Sequence, residues 1–246
     1  MSEFQPNIIR LDSIGSTNDY LLELAKSNDV APFTVVCTPH QTHGKGQRGR
    51  TWESTPGDQV TLSMLVKSIH PSLDQGFGLS MLSALAIMDA LQPLELPQVQ
   101  IKWPNDIYIQ SRKCAGILIE RIWTGQRLQC SVIGIGINVQ NRPRELAQAI
   151  SLSEVSQHKL DTAQIESLLI HRLIARISTW IQTPESVIRN EYHRYLLGRN
   201  ELLTFESHGA VFSGVIQEIN TLGQLIIRDE SGEFRQFLPT EITFVL

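Results

Sequence analysis

Lys45, Arg48 and Arg50 fall within the nine residues Gly44-Lys45-Gly46-Gln47-Arg48-Gly49-Arg50-Thr51-Trp52, and no acidic side chain intervenes before Glu53. Glycines let the backbone approach a ligand closely, and successive N–H groups beside Lys and Arg suit a phosphate or a carboxylate. The segment matches the letters of the dinucleotide fingerprint G-x-G-x-x-G. It also comes within one residue of the phosphate loop, with Arg50 where that motif needs lysine. Both motifs require a helix that begins at the loop and aims its N-terminus at the phosphates. Here residues 50–57 read as a turn without an apolar stripe, and no acidic residue stands beside a second strand about 20 positions on. Neither nucleotide motif applies, which leaves an anion site of another kind or a solvated basic loop.

Four further clusters carry polar or glycine residues at strand or helix ends. Lys102-Trp103-Pro104-Asn105-Asp106 closes a strand with a rigid break, and it reads as a ligand-facing strand end or as a capped turn. Lys113 heads the apolar run Cys114–Ile119 with Gly116 three residues on, either as a positioned cation or as an edge guard. Val132–Val139 is a strand with alternating Gly134 and Gly136, so a flat ligand or a neighbouring element lies against that face. Ser16-Thr17-Asn18 precedes Leu21, Leu22, Leu24 and Ala25 as a helix cap that could also offer short hydrogen-bonding groups.

The elements that must position these residues mix both types without βαβ alternation. Strands are expected at Thr34–Thr38, Val60–Val66, Val99–Trp103, Ile107–Ile109, Ala115–Ile122 and Cys130–Val139. Helices are expected from Ser16, at Gly78–Leu91 with an apolar stripe, at Thr162–Ile181 and at Glu185–Tyr195. This is an α+β pattern, a sheet with helices on one face. Leu197-Gly198-Arg199-Asn200 marks a boundary, giving units of residues 1–196 and 197–246. Beyond it short strands at Leu202–Phe205, Ala210–Ile219, Gln224–Arg228 and Phe234–Leu238 indicate a small β-barrel.

The 246 residues are 41% hydrophobic and 19% charged, enough apolar material for a sizeable core. A net charge of −4 speaks against a general nucleic-acid face and confines the positive charge to the loop. Cys37, Cys114 and Cys130 are odd in number and far apart, as in reduced core thiols of a cytoplasmic protein. His40 and His43 lack partner ligands for a metal site. Met1–Pro6 shows no basic-then-apolar signal, and no run approaches a membrane span.

Taken in order, the motifs resemble those of the biotin–protein ligases. That family's Gly-rich basic loop is similar to Gly44–Arg50 with Trp52, preceded by Gln41, and its Ser-Thr-Asn triplet to Ser16–Asn18. Its KWPND, K-x-A-G-I-L and G-x-G-I-N blocks match Lys102–Asp106, Lys113–Leu118 and Gly134–Asn138, so the resemblance covers essentially the whole chain. It implies a mixed, mostly antiparallel sheet with helices packed on it, as in class II synthetases, and a C-terminal SH3-like barrel. Lys45 and Gln47 depart from the arginines common in the family's loop. The resemblance associates the arginine at position 47 with holding a reactive intermediate, a charge this chain lacks. The chain reaches Ser16 almost at once, so the helix-turn-helix of the bifunctional ligase–repressors, and with it DNA binding, is not expected.

The resemblance further implies two steps: biotin and ATP give biotinyl-AMP and pyrophosphate, and a carrier lysine then displaces AMP. It assigns catalysis to Lys113, Arg48 and Arg50. Biotin binding falls to Ser16, Thr17, Asn18, Gln41, Gly44, Lys45, Gly46, Gln47, Lys113, Gly116, Gly134 and Gly136. ATP binding falls to Arg48, Arg50, Trp52, Lys102, Asn105, Asp106 and Asn138, with Mg²⁺ accompanying the nucleotide near Asp106. Expected partners are a biotin carboxyl carrier domain, as of acetyl-CoA carboxylase, but neither DNA nor membrane; the chain itself is expected as a monomer or weak homodimer. The rivals are a lipoate–protein ligase and a non-catalytic binding module. Against the module, Phe205, Phe212, Phe234, Phe237 and Phe244 accompany only Arg199, Arg228 and Arg235, which suits a core better than a nucleic-acid stacking surface.

Overall fold

Large apolar residues alternate with small or polar ones along the central strands, and this parity decides what each face of the sheet holds. The computed structural model describes residues 6–27, 29–67, 76–142 and 148–245; Met1–Gln5, read above for a signal pattern, lie outside them. Seven strands form the main sheet: β1 (Asn7–Arg10), β2 (Thr34–Cys37), β3 (Gln59–Lys67), β4 (Val99–Lys102), β5 (Asp106–Ile109), β6 (Arg112–Thr124) and β7 (Arg127–Asn138). Their order is β1-β2-β3-β7-β6-β5-β4. Only β1 and β2 run parallel; every other neighbouring pair is antiparallel. The expected strands fall in place. β1 was not foreseen, because its four residues are mostly exposed and carry no alternating apolar signal.

Val60, Leu62, Met64, Ile133, Ile135 and Ile137 point to one face and join the principal core. Helices α2 (Gly78–Leu91), α3 (Thr162–Thr179) and α4 (Glu185–Arg194) cover that face. α2 departs from the expected single stripe. All its residues but Ser80 and Asp89 are buried, because α3 and α4 pack on it in addition to the sheet. The three helices are pinned at Arg176, whose guanidinium donates to Asp89 at 2.7 and 2.8 Å and to Glu191 at 2.7 and 2.7 Å. Cys37, Cys114 and Cys130 are buried free thiols.

Among the described residues, α1 (Thr17–Ser27) is the one helix on the opposite face, seated through Leu21 on Val36, Leu65, Val132 and Cys130. Further along the same strands the large side chains stop. Thr61, Gly136, Gly116 and Asp106 lie side by side across β3, β7, β6 and β5, and Ser63, Gly134 and Leu118 form the next row. Small residues in register leave this part of the face hollow.

A second antiparallel sheet follows from β8 (Leu202–Ser207), β9 (Ala210–Ile219), β10 (Leu225–Asp229), β11 (Phe234–Phe237) and β12 (Thr243–Val245), in the order β11-β10-β9-β8-β12. β12, not expected as a strand, pairs with β8 and brings Phe244 onto Phe205. The two sheets are joined by specific bonds. Trp103 Nε1 donates to the Gly223 carbonyl at 3.0 Å, and the Ile219 N–H donates to His193 Nε2 at 2.8 Å. Gly223 has φ +80°, and a Cβ there would stand 2.7 Å from Phe77, so the turn needs glycine on both counts.

Candidate active site

The hollow is an open cleft with about 450 Å³ of space, counted out to and including its mouth. Of the residues expected at biotin, Ser16, Thr17, Asn18, Gln41, Lys45, Gly46, Gln47, Lys113, Gly116, Gly134 and Gly136 all line it. Trp52 and Asn105, expected at the nucleotide, line it as well. Leu118 adds an apolar side chain, while Leu62, Ile117 and Ile135, which also border the cleft, send theirs into the core on the other face.

One end is built around the start of α1. Thr42 and His43 donate backbone hydrogen bonds to Ile14 and Gly15, which brings Gln41 beside the helix N-terminus. Gln41 Oε1 then accepts from the Thr17 backbone N–H at 2.8 Å and its hydroxyl at 3.0 Å. Ser63 Oγ, fully buried on β3, lies 2.7 Å from Thr17 Oγ1 and 2.5 Å from Asn18 Oδ1. Asn18 Nδ2 donates to Glu120 Oε2 at 2.8 Å and to the Leu118 carbonyl at 3.4 Å. A Cβ on Gly134 would meet Asn18 Oδ1 at 2.3 Å. Gly134 therefore makes room for a protein side chain, where a ligand ring had been expected.

The basic loop folds back as a narrow hairpin. Trp52 N–H donates to Gly44 O at 2.9 Å, Gly46 N–H to Arg50 O at 2.7 Å, and Lys45 pairs with Thr51. The turn passes through Arg48 at φ 58° and Gly49 at φ 74°, with no helix following, as the sequence implied. A Cβ on Gly44 would lie 2.3 Å from the Trp52 carbonyl, so that glycine closes the hairpin instead of facing the cleft. Trp52 lays its indole on Gly136, where a Cβ would stand 2.3 Å from Cε2. Its Nε1 is buried without a hydrogen-bond partner among the described residues. Lys45 Nζ pairs with Asp19 at 2.6 Å on the surface.

At the other end Lys113 Nζ stands 2.6 Å from Asp106 Oδ1 and 5.8 Å from the centre of the Trp52 ring. Asp106 Oδ1 is buried and receives no aligned hydrogen bond, so the ammonium compensates it as a charge. The Lys113 backbone is tied to Gln148 and Ile150 at 2.8 and 2.9 Å. Gly116 makes room for its ammonium, since a Cβ there would be 3.2 Å from Nζ. Asn105 is held to Ile117 through side chain and backbone. Lys102 lies outside the cleft lining, its ammonium 5.3 Å from the Tyr108 ring centre and 5.0 Å from that of Phe244. Burial draws the Lys102 ammonium below its ordinary range, Lys113 and Arg50 push the same way, and Asp106 opposes them.

Other expected positions fall elsewhere. Asn138 is 2% exposed and uses both ends of its amide on Gln59 and the Ile150 carbonyl, so it holds the end of β7 instead of lining the cleft. Arg48 donates to the Pro239 carbonyl between β11 and β12, and the Arg50 side chain makes no hydrogen bond or ion pair among the described residues. Sequence reading missed Ser63, Glu120 and Phe244. Ser63 had a signal: with Thr61 it is a small polar residue at every second position of an otherwise apolar strand. Among the described residues no three His, Cys, Asp or Glu side chains gather to hold a metal.

Comparison with known proteins gives this geometry its context. Residues 11–138 match the model of the biotin/lipoate A/B protein ligase family. A biotin–[acetyl-CoA-carboxylase] ligase of Mycobacterium tuberculosis is 31% identical over 87% of this chain and 80% of its own. The corresponding ligase of Paracoccus denitrificans is 30% identical over 93% and 96%. Among solved structures, the biotin protein ligase from Aquifex aeolicus in complex with biotin and ATP superposes with a TM-score of 0.80. That likeness, at 24% identity over 97% of this chain and 98% of the other, bears on the fold. Matched through more than half its length, and with relatives at 30% identity or above along most of the rest, this chain belongs to the biotin/lipoate A/B protein ligase family.

Proposed function

We infer that this chain activates biotin with ATP and transfers the biotinyl group to a lysine of a biotin carboxyl carrier domain. The observation that carries the reading is the convergence in one cleft of Lys113, the Ser16–Asn18 triplet with Gln41, and the basic hairpin. In the first step a biotin carboxylate oxygen attacks the α-phosphorus, and the bond to pyrophosphate breaks. Two anions must meet and charge grows on the phosphoryl oxygens, so a pre-positioned cation lowers the barrier. Lys113 serves as that cation, its compact ammonium reaching a carboxylate and an α-phosphate oxygen together. In the second step the acceptor amine attacks the biotinyl carbonyl and AMP leaves with the electron pair.

Thr17, Gln41 and the hairpin amides bind the cyclic urea, and Trp52 covers the bicycle or adenine and keeps water from the anhydride. Lys102, Arg48 and Arg50 serve the triphosphate, Arg48 by exchanging the Pro239 carbonyl for a phosphate oxygen. Mg²⁺ would be held mainly by the triphosphate oxygens, with Asp106 as the carboxylate that would orient it, and it would neutralise the charge of the leaving pyrophosphate. Residues 1–196 form the catalytic unit and 197–246 a β unit packed against it. The acceptor is the carrier domain of an acetyl-CoA carboxylase, as the relatives' names state for them. The chain works without DNA, as a monomer or weak homodimer.

The test is intact-mass spectrometry of a biotin carboxyl carrier domain incubated with the protein, Mg²⁺ and biotin, with and without ATP. An ATP-dependent gain of one biotinyl group on one lysine is expected. A gain only when lipoate replaces biotin would turn the reading to the lipoate branch of the family, and no gain from a folded protein would refute it.

A further inference from the structure

The second sheet buries one side and leaves an apolar one in solvent. Phe205, Ile216, Ile227 and Phe237 turn inward and join the principal core. A sheet covered on one face ordinarily presents polar side chains on the other. Here Leu202 of β8 stands opposite Val215 of β9, Val215 opposite Arg228 of β10, and Arg228 opposite Phe234 of β11. Val211, opposite Glu206, and Val245, opposite Thr204, flank that row on the same outer side. Leu202, Val211 and Phe234 are 65%, 66% and 66% exposed, and Val245 is 51% exposed. Together they are four of the ten large apolar side chains left exposed among the described residues. Single apolar residues on a surface are ordinary, whereas a group gathered on one face and rimmed by polar residues marks an interaction site.

The surrounding charge decides what such a face takes. Residues 197–246 hold seven Asp and Glu against three arginines, and residues 1–196 are balanced, so the net −4 lies wholly in this unit. Glu206 sits on the outer face, Glu201 precedes Leu202, and Glu230 and Glu233 stand at the β10–β11 turn beside Phe234, all four exposed. None of the four forms an ion pair among the described residues. Nucleic acid and an anionic membrane surface are repelled by such a rim, and a second copy would set carboxylate against carboxylate. We propose that the outer face of β8–β11, with Val245 of β12, docks a protein whose contact surface has an apolar centre rimmed by lysine and arginine. The apolar row supplies the buried centre and the carboxylates steer the approach. Arg228 continues the row with its stem and offers the partner one directed set of donors. Phe244, which reaches Lys102, turns to the inner side of the same sheet, so a docked partner leaves the cleft open.

The probe is a synthetic amphipathic helix with leucine along one stripe and lysine elsewhere, set beside a counterpart in which glutamate replaces lysine. Fluorescence anisotropy with the full chain measures affinity, and amide shifts in two-dimensional NMR locate the contact. The lysine peptide is expected to bind and to shift β8 and β9, and the glutamate peptide to bind at least about tenfold more weakly. Leu202→Ser/Phe234→Ser should weaken the lysine peptide about tenfold at an unchanged melting temperature. Should that variant melt early, Leu202→Ser/Val211→Ser takes its place with the same expectation. Glu201→Gln/Glu206→Gln should weaken the lysine peptide several-fold at low salt, a difference that added salt erases. Equal binding of the two peptides, wild-type affinity in the serine variants, or shifts confined to other strands would overturn the proposal. So would a dimer in sedimentation that Leu202→Ser/Phe234→Ser dissolves, which gives the face to a second copy. Adsorption to phosphatidylserine vesicles that the same variant abolishes gives it to a membrane and overturns the proposal equally.

Discussion

Replacing Lys113 by Ala separates the catalytic role proposed for its ammonium from the ion pair it makes in the structure. As the cation proposed to stand between carboxylate and α-phosphate, Lys113 has the standing of a pre-organised transition-state donor, whose loss costs about 10²–10³ in rate. As the partner of Asp106 at 2.6 Å it also offsets a buried oxygen that receives no aligned hydrogen bond. The pair is only partly shielded, with 32% of the Lys113 and 16% of the Asp106 side chain exposed. The stability lost with it therefore belongs at the lower end of the buried-group scale, about 1–2 kcal/mol. In a chain of this size that lowers the melting temperature by about 2–8 °C. The two losses part in the double variant Lys113→Ala/Asp106→Asn: removing the orphaned charge is expected to recover most of the stability and none of the activity. Pyrophosphate release at saturating biotin and ATP reads the first effect, and a thermal melt the second. Pyrophosphate release within tenfold of wild type in folded Lys113→Ala would refute the catalytic assignment. A melt that Asp106→Asn fails to raise in that background would refute the ion pair as the source of the instability.

Three further outcomes are expected. Gly136→Ala puts a Cβ 2.3 Å from the Trp52 ring, which must leave its seat at a cost of about 1–3 kcal/mol. A shift in the Trp52 part of the fluorescence, taken against a Trp52→Phe control, checks this, and an unchanged spectrum contradicts it. His193, held neutral chiefly by burial and then by the Arg199 charge, has its pKa drawn down from 6.5 to about 4. A depressed histidine stabilises the fold fully above pH 6.5 and loses that contribution as pH falls toward 4, with about 2 kcal/mol gone by pH 5. Urea unfolding at pH 7.5 and 5 should show this slope in wild type and a shallower one in His193→Gln, and equal slopes count against it. Gln47→Arg places a cation on the cleft lining, so escape of the adenylate, read as labelling of bystander lysines, should fall several-fold; unchanged labelling would show that position 47 does not hold the intermediate.

The strands and helices that frame the cleft were legible because their apolar residues repeat at the right period over long stretches, as in Val60–Val66 and Cys130–Val139. β1 and β12 were not, being four and three residues long, mostly exposed, and paired only by tertiary contact. The cleft residues were named from motif order, and the strand glycines were left open between a flat ligand and a neighbouring element. Gly134 and Gly136 signalled a close approach without saying by what, and the approaching groups proved to be Asn18 and Trp52. Cross-strand register explains Ser63 as well. Nothing local distinguishes a strand serine under a ligand from one under a helix until β3 is set beside β7, with Ser63 opposite Gly134.

The second sheet belongs to the chemistry of the cleft more than its position at the end of the chain implies. Lys102, proposed for the triphosphate, rests between Tyr108 of the main sheet and Phe244 of the second. An ammonium already stripped of part of its water by two rings gives up less hydration when a phosphate arrives, so its attraction survives desolvation better than that of a free surface lysine. Two bonds tie the second sheet to the first unit, Trp103 Nε1–H to the Gly223 carbonyl and the Ile219 N–H to His193 Nε2, both at the β9–β10 connection. The Arg48–Pro239 contact reaches the same sheet from the hairpin. Loosening the junction should therefore weaken nucleotide binding before it affects biotin, whose proposed polar contacts gather around α1 at the far end of the cleft.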